Sequence, residues 1–165
     1  MKIAILGTGA LGCLFAAKLQ AGNELTMFGN WDEQKKQIRL QGLSFTDLDS
    51  NQVKLPIHIG DEEDFQPLFD LVLVLVKSYQ TQGIAEKAAQ LLNRKNPDAV
   101  ILSLQNGLGN QQFLETASPG RVLVGTTTLG ARLNGLGQVF HTGEGNMILP
   151  NRVSVDLLET FKRAG

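Results

Sequence analysis

Three glycines near the amino terminus constrain this chain more than any other feature. Gly7, Gly9 and Gly12 form the pattern G-x-G-x-x-G, which follows an apolar run at residues 2–6 and precedes apolar side chains at helical spacing. In such a turn the first glycine permits the tight bend, the second lets another molecule approach the backbone, and the third allows helix and strand to pack closely. We therefore predict a buried strand, a tight turn and an amphipathic helix at residues 10–21.

Segments with strand character alternate with segments with helix character along most of the 165 residues. The predicted strands are residues 2–6, 24–28, 71–76 and 99–104, and the predicted helices are residues 10–21, 31–40, 80–93, 107–115 and 153–162. Two short strands are expected within residues 43–59, and two or three more within residues 122–149. This order predicts one α/β domain over residues 1–165, a Rossmann-type, doubly wound, mainly parallel sheet with a short strand extension near the carboxyl-terminal end.

Charge and composition exclude several classes of partner. The formal net charge of −1 gives no electrostatic reason to expect a nucleic acid. The longest apolar run, residues 71–76, is far shorter than the roughly 20 residues that span a bilayer, and the amino terminus lacks a signal-peptide pattern. A single cysteine, Cys13, excludes an intrachain disulfide. We expect a cytoplasmic protein without a membrane partner, in which Cys13 is a buried packing residue or, alternatively, a reactive thiol.

The context of the glycine pattern predicts its ligand. Free N–H groups and the positive dipole end at the start of a helix attract phosphate. The order strand, glycine turn, helix, strand is the arrangement that binds the pyrophosphate of a dinucleotide. The predicted cofactor-binding residues of the turn are Gly7, Thr8, Gly9, Ala10, Leu11 and Gly12. The alternative is a glycine turn with a purely structural role.

The end of the second strand bears on the choice between NADP and NAD. An NAD site usually has an acidic residue there for the ribose hydroxyls, whereas this strand ends in Asn30. Asp32 is better explained as the first acid of the next helix. A 2′-phosphate could be hydrogen-bonded by Asn30 and attracted by Lys35, Lys36 or Arg39, unless these three are only solvated surface residues. The pattern favours NADP and leaves NAD as an alternative.

Polar segments follow three later strands, at the sheet edge where open α/β sheets bind ligands. They are Val76-Lys77-Ser78-Tyr79-Gln80, Leu104-Gln105-Asn106-Gly107-Leu108-Gly109 and Val124-Gly125-Thr126-Thr127-Thr128. Lys77 can hold a ribose hydroxyl or a substrate carboxylate by a charge-assisted hydrogen bond, and Asn106 can both donate and accept. Alternatively, Lys77 is a solvent-facing lysine and Asn106 caps a helix.

Together with the glycine pattern, these segments resemble the ketopantoate reductase (2-dehydropantoate 2-reductase) family along the whole chain.

The resemblance implies an NADP-dependent enzyme that reduces the 2-keto acid 2-dehydropantoate to pantoate by hydride transfer, on the route to pantothenate and coenzyme A. It implies that Lys77 and Asn106 line the nicotinamide and substrate end of the cleft, and that Thr127 belongs to the substrate site. Family members often have an arginine for the 2′-phosphate where this chain has Asn30. Two alternatives stay open: a non-catalytic module that senses NAD(P), and a related reductase that acts on another 2-keto acid.

The family also has a helical second domain, with a general-acid lysine and a substrate-binding glutamate, which we expect after Gly165. No catalytic residue is therefore assigned within residues 1–165, and we expect this chain alone to bind cofactor but to turn over poorly or not at all. A homodimer is a further expectation. No metal site is predicted, because His58 and His141 are isolated from other ligand-type residues; both are interpreted as structural or surface residues, and Glu144 as a loop residue.

Overall fold

The computed structural model describes residues 1–66, 68–107 and 109–165. The strands are β1 (Lys2–Leu6), β2 (Glu24–Phe28), β3 (Leu43–Thr46), β4 (Gln52–Leu55), β5 (His58–Ile59), β6 (Leu71–Val74), β7 (Val100–Ser103), β8 (Val122–Val124), β9 (Thr126–Thr127), β10 (Gly130–Leu133), β11 (Gln138–Gly143) and β12 (Met147–Ile148). The α-helices are α1 (Ala10–Leu19), α2 (Asp32–Gln41), α3 (Thr81–Leu91), α4 (Asn110–Ala117) and α5 (Val155–Ala164). The predicted fourth helix therefore begins later than residue 107, and Leu108 lies outside the described residues.

The main sheet has six strands in the order β5-β2-β1-β6-β7-β8, and all five pairings are parallel. The chain runs outward from β1 to β5 on one side and then returns to build β6, β7 and β8 on the other. Leu6 pairs with both Phe28 and Val74, so the carboxyl ends of the three central strands are level. The predicted doubly wound α/β fold is confirmed, and its strand order reverses at β1, where such sheets bind ligands.

Alternating side chains of the strands form two cores, one on each face of the main sheet. Ile3 and Ile5 of β1 belong to the core that contains α1 and α5. Ala4 and Leu6 belong to the core that contains α3 and Leu114 of α4. The alternation follows from the two-residue period of a strand, and both faces are apolar because helices cover both.

Helix α1 is buried around most of its circumference, so the prediction of an amphipathic helix was wrong. A second sheet, in the order β10-β11-β3-β4, packs against the side of α1 that faces away from the main sheet. Its pairings are antiparallel except that β11 and β3 run parallel. Leu43 and Val139 of this sheet are fully buried in the α1 core. The second covering layer comes from distant segments, which the local pattern of α1 does not encode.

The last third of the chain contains five strands, β8 to β12, where two or three were predicted. β8 is an edge strand of the main sheet, and β9 pairs antiparallel with β12 in a separate two-stranded sheet. The insert before β6 likewise holds a third strand, β5, which joins the main sheet beside β2. Strands of two residues carry too little alternation to be recognised from a sequence. None of the helices in the described ranges is long and apolar enough to cross a membrane.

Candidate cofactor and substrate site

A cleft of about 340 Å³ opens at the carboxyl ends of β1, β2 and β6. Its volume lies within the range of small-molecule sites. The polar and glycine residues that line it are Gly7, Thr8, Gly9, Gly29, Asn30, Lys77, Gln80 and Lys87, and its apolar walls include Trp31, Phe65 and Ile84. A larger cleft, about 610 Å³, lies at Met1 and Asp70, near the amino ends of the strands. The smaller cleft is the candidate site because it coincides with the reversal of strand order.

The three glycines of the pattern are needed for different reasons. Gly7 has φ +125°, a conformation that side chains disfavour. A Cβ atom on Gly12 would overlap the carbonyl oxygen of Gly7. Gly9 has an ordinary extended backbone, with φ −78°, and no described atom lies within 4 Å of a Cβ built there. The fold therefore requires glycine at Gly7 and Gly12, whereas at Gly9, which lines the cleft, neither the backbone conformation nor a neighbouring atom requires it.

The buried side of this turn is held by polar contacts. Thr8 is only 4% exposed, and its carbonyl oxygen accepts hydrogen bonds from Gln34 Nε2 at 3.2 Å and Cys13 Sγ at 3.5 Å. Burial raises the pKa of the Cys13 thiol to about 12, although the Gln34 hydrogen bond acts in the opposite direction. Cys13 is therefore a protonated packing residue, as predicted, because thiols react as thiolates.

The end of β2 places Asn30 and Trp31 at the cleft, both exposed to solvent. Two of the three cations considered for a 2′-phosphate have acidic partners elsewhere. Lys35 Nζ lies 2.9 Å from Asp32, and Arg39 Nη2 lies 2.6 Å from Asp61. None of these described side chains, nor that of Lys36, lines the cleft. Asp32 is the first residue of α2, as predicted.

A lysine that sequence reasoning missed does line the cleft. Lys87, on α3, has its Nζ 5.4 Å from the centre of the Phe65 ring, which also lines the cleft. The helical pattern of residues 80–93 showed Lys87 only as a polar residue, because its nearness to the end of β2 comes from sheet topology. The lining residues among those described include two lysines, Lys77 and Lys87, and no acidic residue.

The loop after β6 presents Lys77 in a defined conformation. The backbone N–H of Lys77 donates to Gln80 Oε1 at 3.2 Å, and the backbone N–H of Gln80 donates to the Lys77 carbonyl at 2.8 Å. Residues Ser78–Gln80 form one 3₁₀ turn that leads into α3. The Lys77 side chain is exposed and lies at the cleft. The backbone of this loop is thus restrained while the ammonium group remains accessible.

A chain of side-chain hydrogen bonds, which we call the Thr81 hub, connects this loop with the loop that carries Asn106. Gln105 Nε2 donates to the Val76 carbonyl and to Thr81 Oγ1, both at 2.8 Å. Thr81 Oγ1 donates to Asn110 Oδ1 at 3.0 Å, and Asn110 Nδ2 donates to the Asn106 carbonyl at 3.2 Å. Thr81 is fully buried. Gln105 belongs to a polar segment that was predicted to lie at the sheet edge, whereas Thr81 and Asn110 were not predicted as functional residues. The only signal for them in the sequence is that they are polar residues close to two predicted strand ends.

Asn106 and Thr127 do not belong to the described lining of the cleft. Asn106 is exposed on the loop after β7, and α4 is capped by Gly109, so Asn106 does not serve as its cap. Thr127 lies in β9, and its Oγ1 accepts a hydrogen bond from the Leu129 backbone at 3.2 Å. Lys77, Asn106 and Thr127 thus follow three adjacent strands, β6, β7 and β8, along one edge of the sheet.

The histidines and Glu144 lie apart from the cleft lining. His58 Nε2 is 4.0 Å from Asp64 on the surface, and Glu144 is exposed after β11. Within the described ranges, no group of three or more histidine, cysteine, aspartate or glutamate residues could hold a metal ion.

Comparisons with known proteins agree with this geometry. A family model described as ketopantoate reductase PanE/ApbA matches residues 3–153. A 2-dehydropantoate 2-reductase of Halobacterium salinarum is 36% identical over 147 residues, which are 88% of this chain and 47% of the relative. The corresponding enzyme of Archaeoglobus fulgidus is 36% identical over 145 residues, 87% of this chain and 45% of the relative. The chain spans about half the length of the curated relatives it matches.

Solved structures show the same relationship. A PanE/ApbA family ketopantoate reductase from Ralstonia eutropha superposes with a TM-score of 0.87 at 29% identity, covering 100% of this chain and 54% of that one. A ternary structure of D-mandelate dehydrogenase with NADH and anilino(oxo)acetate superposes with a TM-score of 0.84 at 29% identity, covering 100% and 55%. The match of the family model over most of the residues shows that this chain belongs to the ketopantoate reductase family.

Proposed function

We propose that residues 1–165 are the dinucleotide-binding part of an NADPH-dependent reductase that converts 2-dehydropantoate to pantoate. The observation that carries the proposal is that Gly9 lines the cleft and has open space at its Cβ position, in a turn whose other two glycines are required by the fold. At the second glycine of this pattern, the close approach of a pyrophosphate is the reason for a residue without a side chain. The names of the relatives supply the substrate, 2-dehydropantoate. The place of the reaction on the route to pantothenate and coenzyme A is what the family resemblance implies.

The residues of the cleft divide the binding of the cofactor among them. The turn formed by Gly7, Thr8, Gly9, Ala10, Leu11 and Gly12 leads into α1 and faces the pyrophosphate with the positive end of the helix dipole and the N–H groups of the first helical turn. The N–H of Gly7 is not among these donors, because it donates to the Phe28 carbonyl at 2.8 Å. The apolar surfaces of Phe65 and Ile84 suit one face of the adenine ring. Asn30 at the end of β2 meets the adenosine ribose.

The loops after β6, β7 and β8 bind the reacting end. When bound, the nicotinamide supplies a hydride for the keto carbon, as in other nicotinamide enzymes. Lys77 holds a ribose hydroxyl or the substrate carboxylate by a charge-assisted hydrogen bond. Asn106 donates to the keto oxygen, and Thr127 contributes to the same substrate site. We assign no proton donor within residues 1–165 and expect no enzyme-like turnover of 2-dehydropantoate by this chain alone. A steady rate of NADPH oxidation typical of an enzyme would contradict this expectation.

NADP is proposed as the preferred cofactor. No carboxylate that would repel a 2′-phosphate is among the described residues that line the cleft, and Asn30, which follows β2, can hydrogen-bond such a group. NAD remains the alternative, since the similar D-mandelate dehydrogenase was solved with NADH. We further propose that the protein acts in the cytoplasm and forms a homodimer.

The experiment is a fluorescence titration of the 165-residue chain with NADPH and with NADH. We expect NADPH to bind more tightly. Asn30→Asp should weaken NADPH binding by roughly tenfold or more, because a carboxylate would face the 2′-phosphate, and should spare NADH. Asn134→Asp is the matched control, since it adds the same charge at an exposed position outside the cleft lining. If the chain binds both cofactors equally and Asn30→Asp changes neither affinity, the preference for NADP is refuted. If the chain binds neither cofactor, the proposed function is refuted.

A related reductase with another 2-keto acid substrate is the second candidate. The similarity to a D-mandelate dehydrogenase solved with anilino(oxo)acetate favours it. Ligand-observed NMR on the chain saturated with NADP⁺ distinguishes the two candidates. Preferential binding of 2-dehydropantoate over phenylglyoxylate supports the first, and the reverse preference supports the second.

A further inference from the structure

Gln34 is a polar residue in a fully buried position of α2. Its side chain is 0% exposed, and Ile38, one turn later, is also buried. Gln34 Nε2 donates to the Thr8 carbonyl at 3.2 Å and to Cys13 Sγ at 3.4 Å, and Gln34 Oε1 accepts from the Gly137 backbone N–H at 2.8 Å. Both ends of this amide are therefore paired, which a buried amide requires.

The hydrogen bond to Thr8 determines the direction of one peptide group at the cleft. In a planar trans peptide the carbonyl and the following N–H point in opposite directions. Gln34 holds the Thr8 carbonyl toward the protein interior, so the N–H of Gly9 points away from the interior. Thr8 and Gly9 both line the cleft, and Gly9 precedes the first turn of α1. Rotation of this peptide would remove an N–H donor from the ligand side.

We propose that Gln34 is a positioning residue for the cofactor, which aims the Thr8–Gly9 peptide at the pyrophosphate and links it to the turn between β10 and β11. The inference rests on the proposed function, because it assumes that a dinucleotide occupies the cleft. Gln34 does not line the cleft among the described residues and acts through Thr8. Its second bond, from Gly137, anchors the amide so that Nε2 has a fixed direction.

A purely structural role makes a different prediction from a positioning role. If Gln34 only satisfies buried backbone groups, its removal lowers the free energy of unfolding and affects all ligands of the folded state equally. If Gln34 positions the Thr8–Gly9 peptide, its removal weakens the binding of ligands that have a pyrophosphate and leaves the binding of other ligands unchanged. NADPH has a pyrophosphate, and adenosine 2′-monophosphate provides the adenosine end alone.

The test uses Gln34→Met, which keeps the length of the side chain and removes its hydrogen bonds. Gln41→Met is the matched control, because Gln41 is exposed on the same helix. Fluorescence titration measures the affinity for NADPH, and ligand-observed NMR measures the affinity for adenosine 2′-monophosphate. Urea unfolding identifies the conditions in which each variant is folded. We expect Gln34→Met to lower the affinity for NADPH by roughly tenfold, which corresponds to about 1.4 kcal/mol of binding free energy. The affinity for adenosine 2′-monophosphate should change by less than about twofold. Gln41→Met should change neither.

Unchanged NADPH affinity, or an equal loss for both ligands, would overturn the positioning role while the proposed function stands. Failure of the unsubstituted chain to bind NADPH would overturn the proposed function itself. A second measurement covers the case in which Gln34→Met does not fold. In the unsubstituted chain, the NMR signals of the Gln34 side-chain amide should shift on addition of NADPH and not of adenosine 2′-monophosphate. Absence of a shift with NADPH would contradict the inference.

Discussion

Gly12 packs so closely on Gly7 that a Cβ atom on Gly12 would overlap the Gly7 carbonyl oxygen. The contact joins the first turn of α1 to the end of β1 and sets the position of the helix start. Between these two residues, Gly9 faces open space. The same short pattern therefore contains two glycines needed for folding and one, Gly9, for which we propose a ligand as the reason.

Gly12→Ala should lower the free energy of unfolding by about 3 kcal/mol, because the added methyl group meets rigid backbone and forces the helix away from the strand. Gly83→Ala is the matched control. Gly83 is exposed in α3 with no described atom near its Cβ position, so alanine there should be neutral or stabilising by up to about 1 kcal/mol. Urea unfolding followed by circular dichroism compares them. Equal stability of the two variants would show that the Gly7–Gly12 contact leaves room for a methyl group and would contradict the prediction.

Thr81→Val should break the Thr81 hub with little change in shape. The substitution removes the hydroxyl that accepts from Gln105 and donates to Asn110 at a fully buried position. We expect a loss of about 1–3 kcal/mol in the free energy of unfolding, the cost of unpaired buried polar groups. Thr81→Ser keeps the hydroxyl and should lose about 1 kcal/mol or less, through the missing methyl group. A serine variant as unstable as the valine variant would argue against the hub.

Cys13 should resist alkylation while the chain is folded. The thiol is fully buried, and burial raises its pKa to about 12, so the thiolate is scarce at neutral pH. Iodoacetamide labelling, followed by mass spectrometry, should proceed only as fast as the chain unfolds and should accelerate in urea. Labelling of the native chain at the rate of free glutathione would place Cys13 in an accessible environment instead.

His141 should make the fold less stable in mild acid. Burial lowers its pKa below the ordinary 6.5, assisted by the positive charge of Lys18 and opposed by a hydrogen bond to Gly143 and by Glu144 and Asp47. The Nε2 atom is buried without a hydrogen-bond partner among the described residues. The unfolded chain therefore binds a proton more readily, so the contribution of His141 is complete above the unfolded pKa and is lost as the pH falls through the folded one.

The measurement is urea unfolding of the chain and of His141→Gln between about pH 7.5 and pH 5. The slope of unfolding free energy against pH should be smaller in His141→Gln than in the unsubstituted chain. His58→Gln serves as the control, since the His58 side chain is 63% exposed. An undiminished slope in His141→Gln would contradict the prediction.

The central strands and the glycine turn could be predicted from sequence because their determinants are local. Each of the strands β1, β2, β6 and β7 is formed by one short stretch of sequence with strand character. The glycines of the pattern follow β1 directly. The polar segments with Lys77 and Asn106 could be placed at one edge for the same reason, since each follows a predicted strand. The predicted role of each site residue in binding remains a prediction.

Features that depend on distant segments could not be predicted. Gln34 and Ile38 are four residues apart and share a face of α2. Nothing in the local sequence shows that Gly137 and Thr8 both contact Gln34 on that face. Arg39 looked available for a phosphate because the fold brings its partner, Asp61, from a later segment. The Lys35–Asp32 pair, by contrast, joins residues three apart on α2 and is local. The second sheet, which buries the outer side of α1, is assembled from strands nearly 100 residues apart, such as β3 and β11.

The dissociation constant of NADPH for Gly9→Ala, set against that of the unsubstituted chain, tests the central claim most directly. The open space at Gly9 predicts that alanine leaves the free energy of unfolding unchanged within about 0.5 kcal/mol. The added methyl group should obstruct the pyrophosphate and lower the affinity for NADPH by roughly tenfold or more. Unchanged NADPH affinity in a stably folded Gly9→Ala chain would contradict the account, because the glycine would then have no ligand to accommodate.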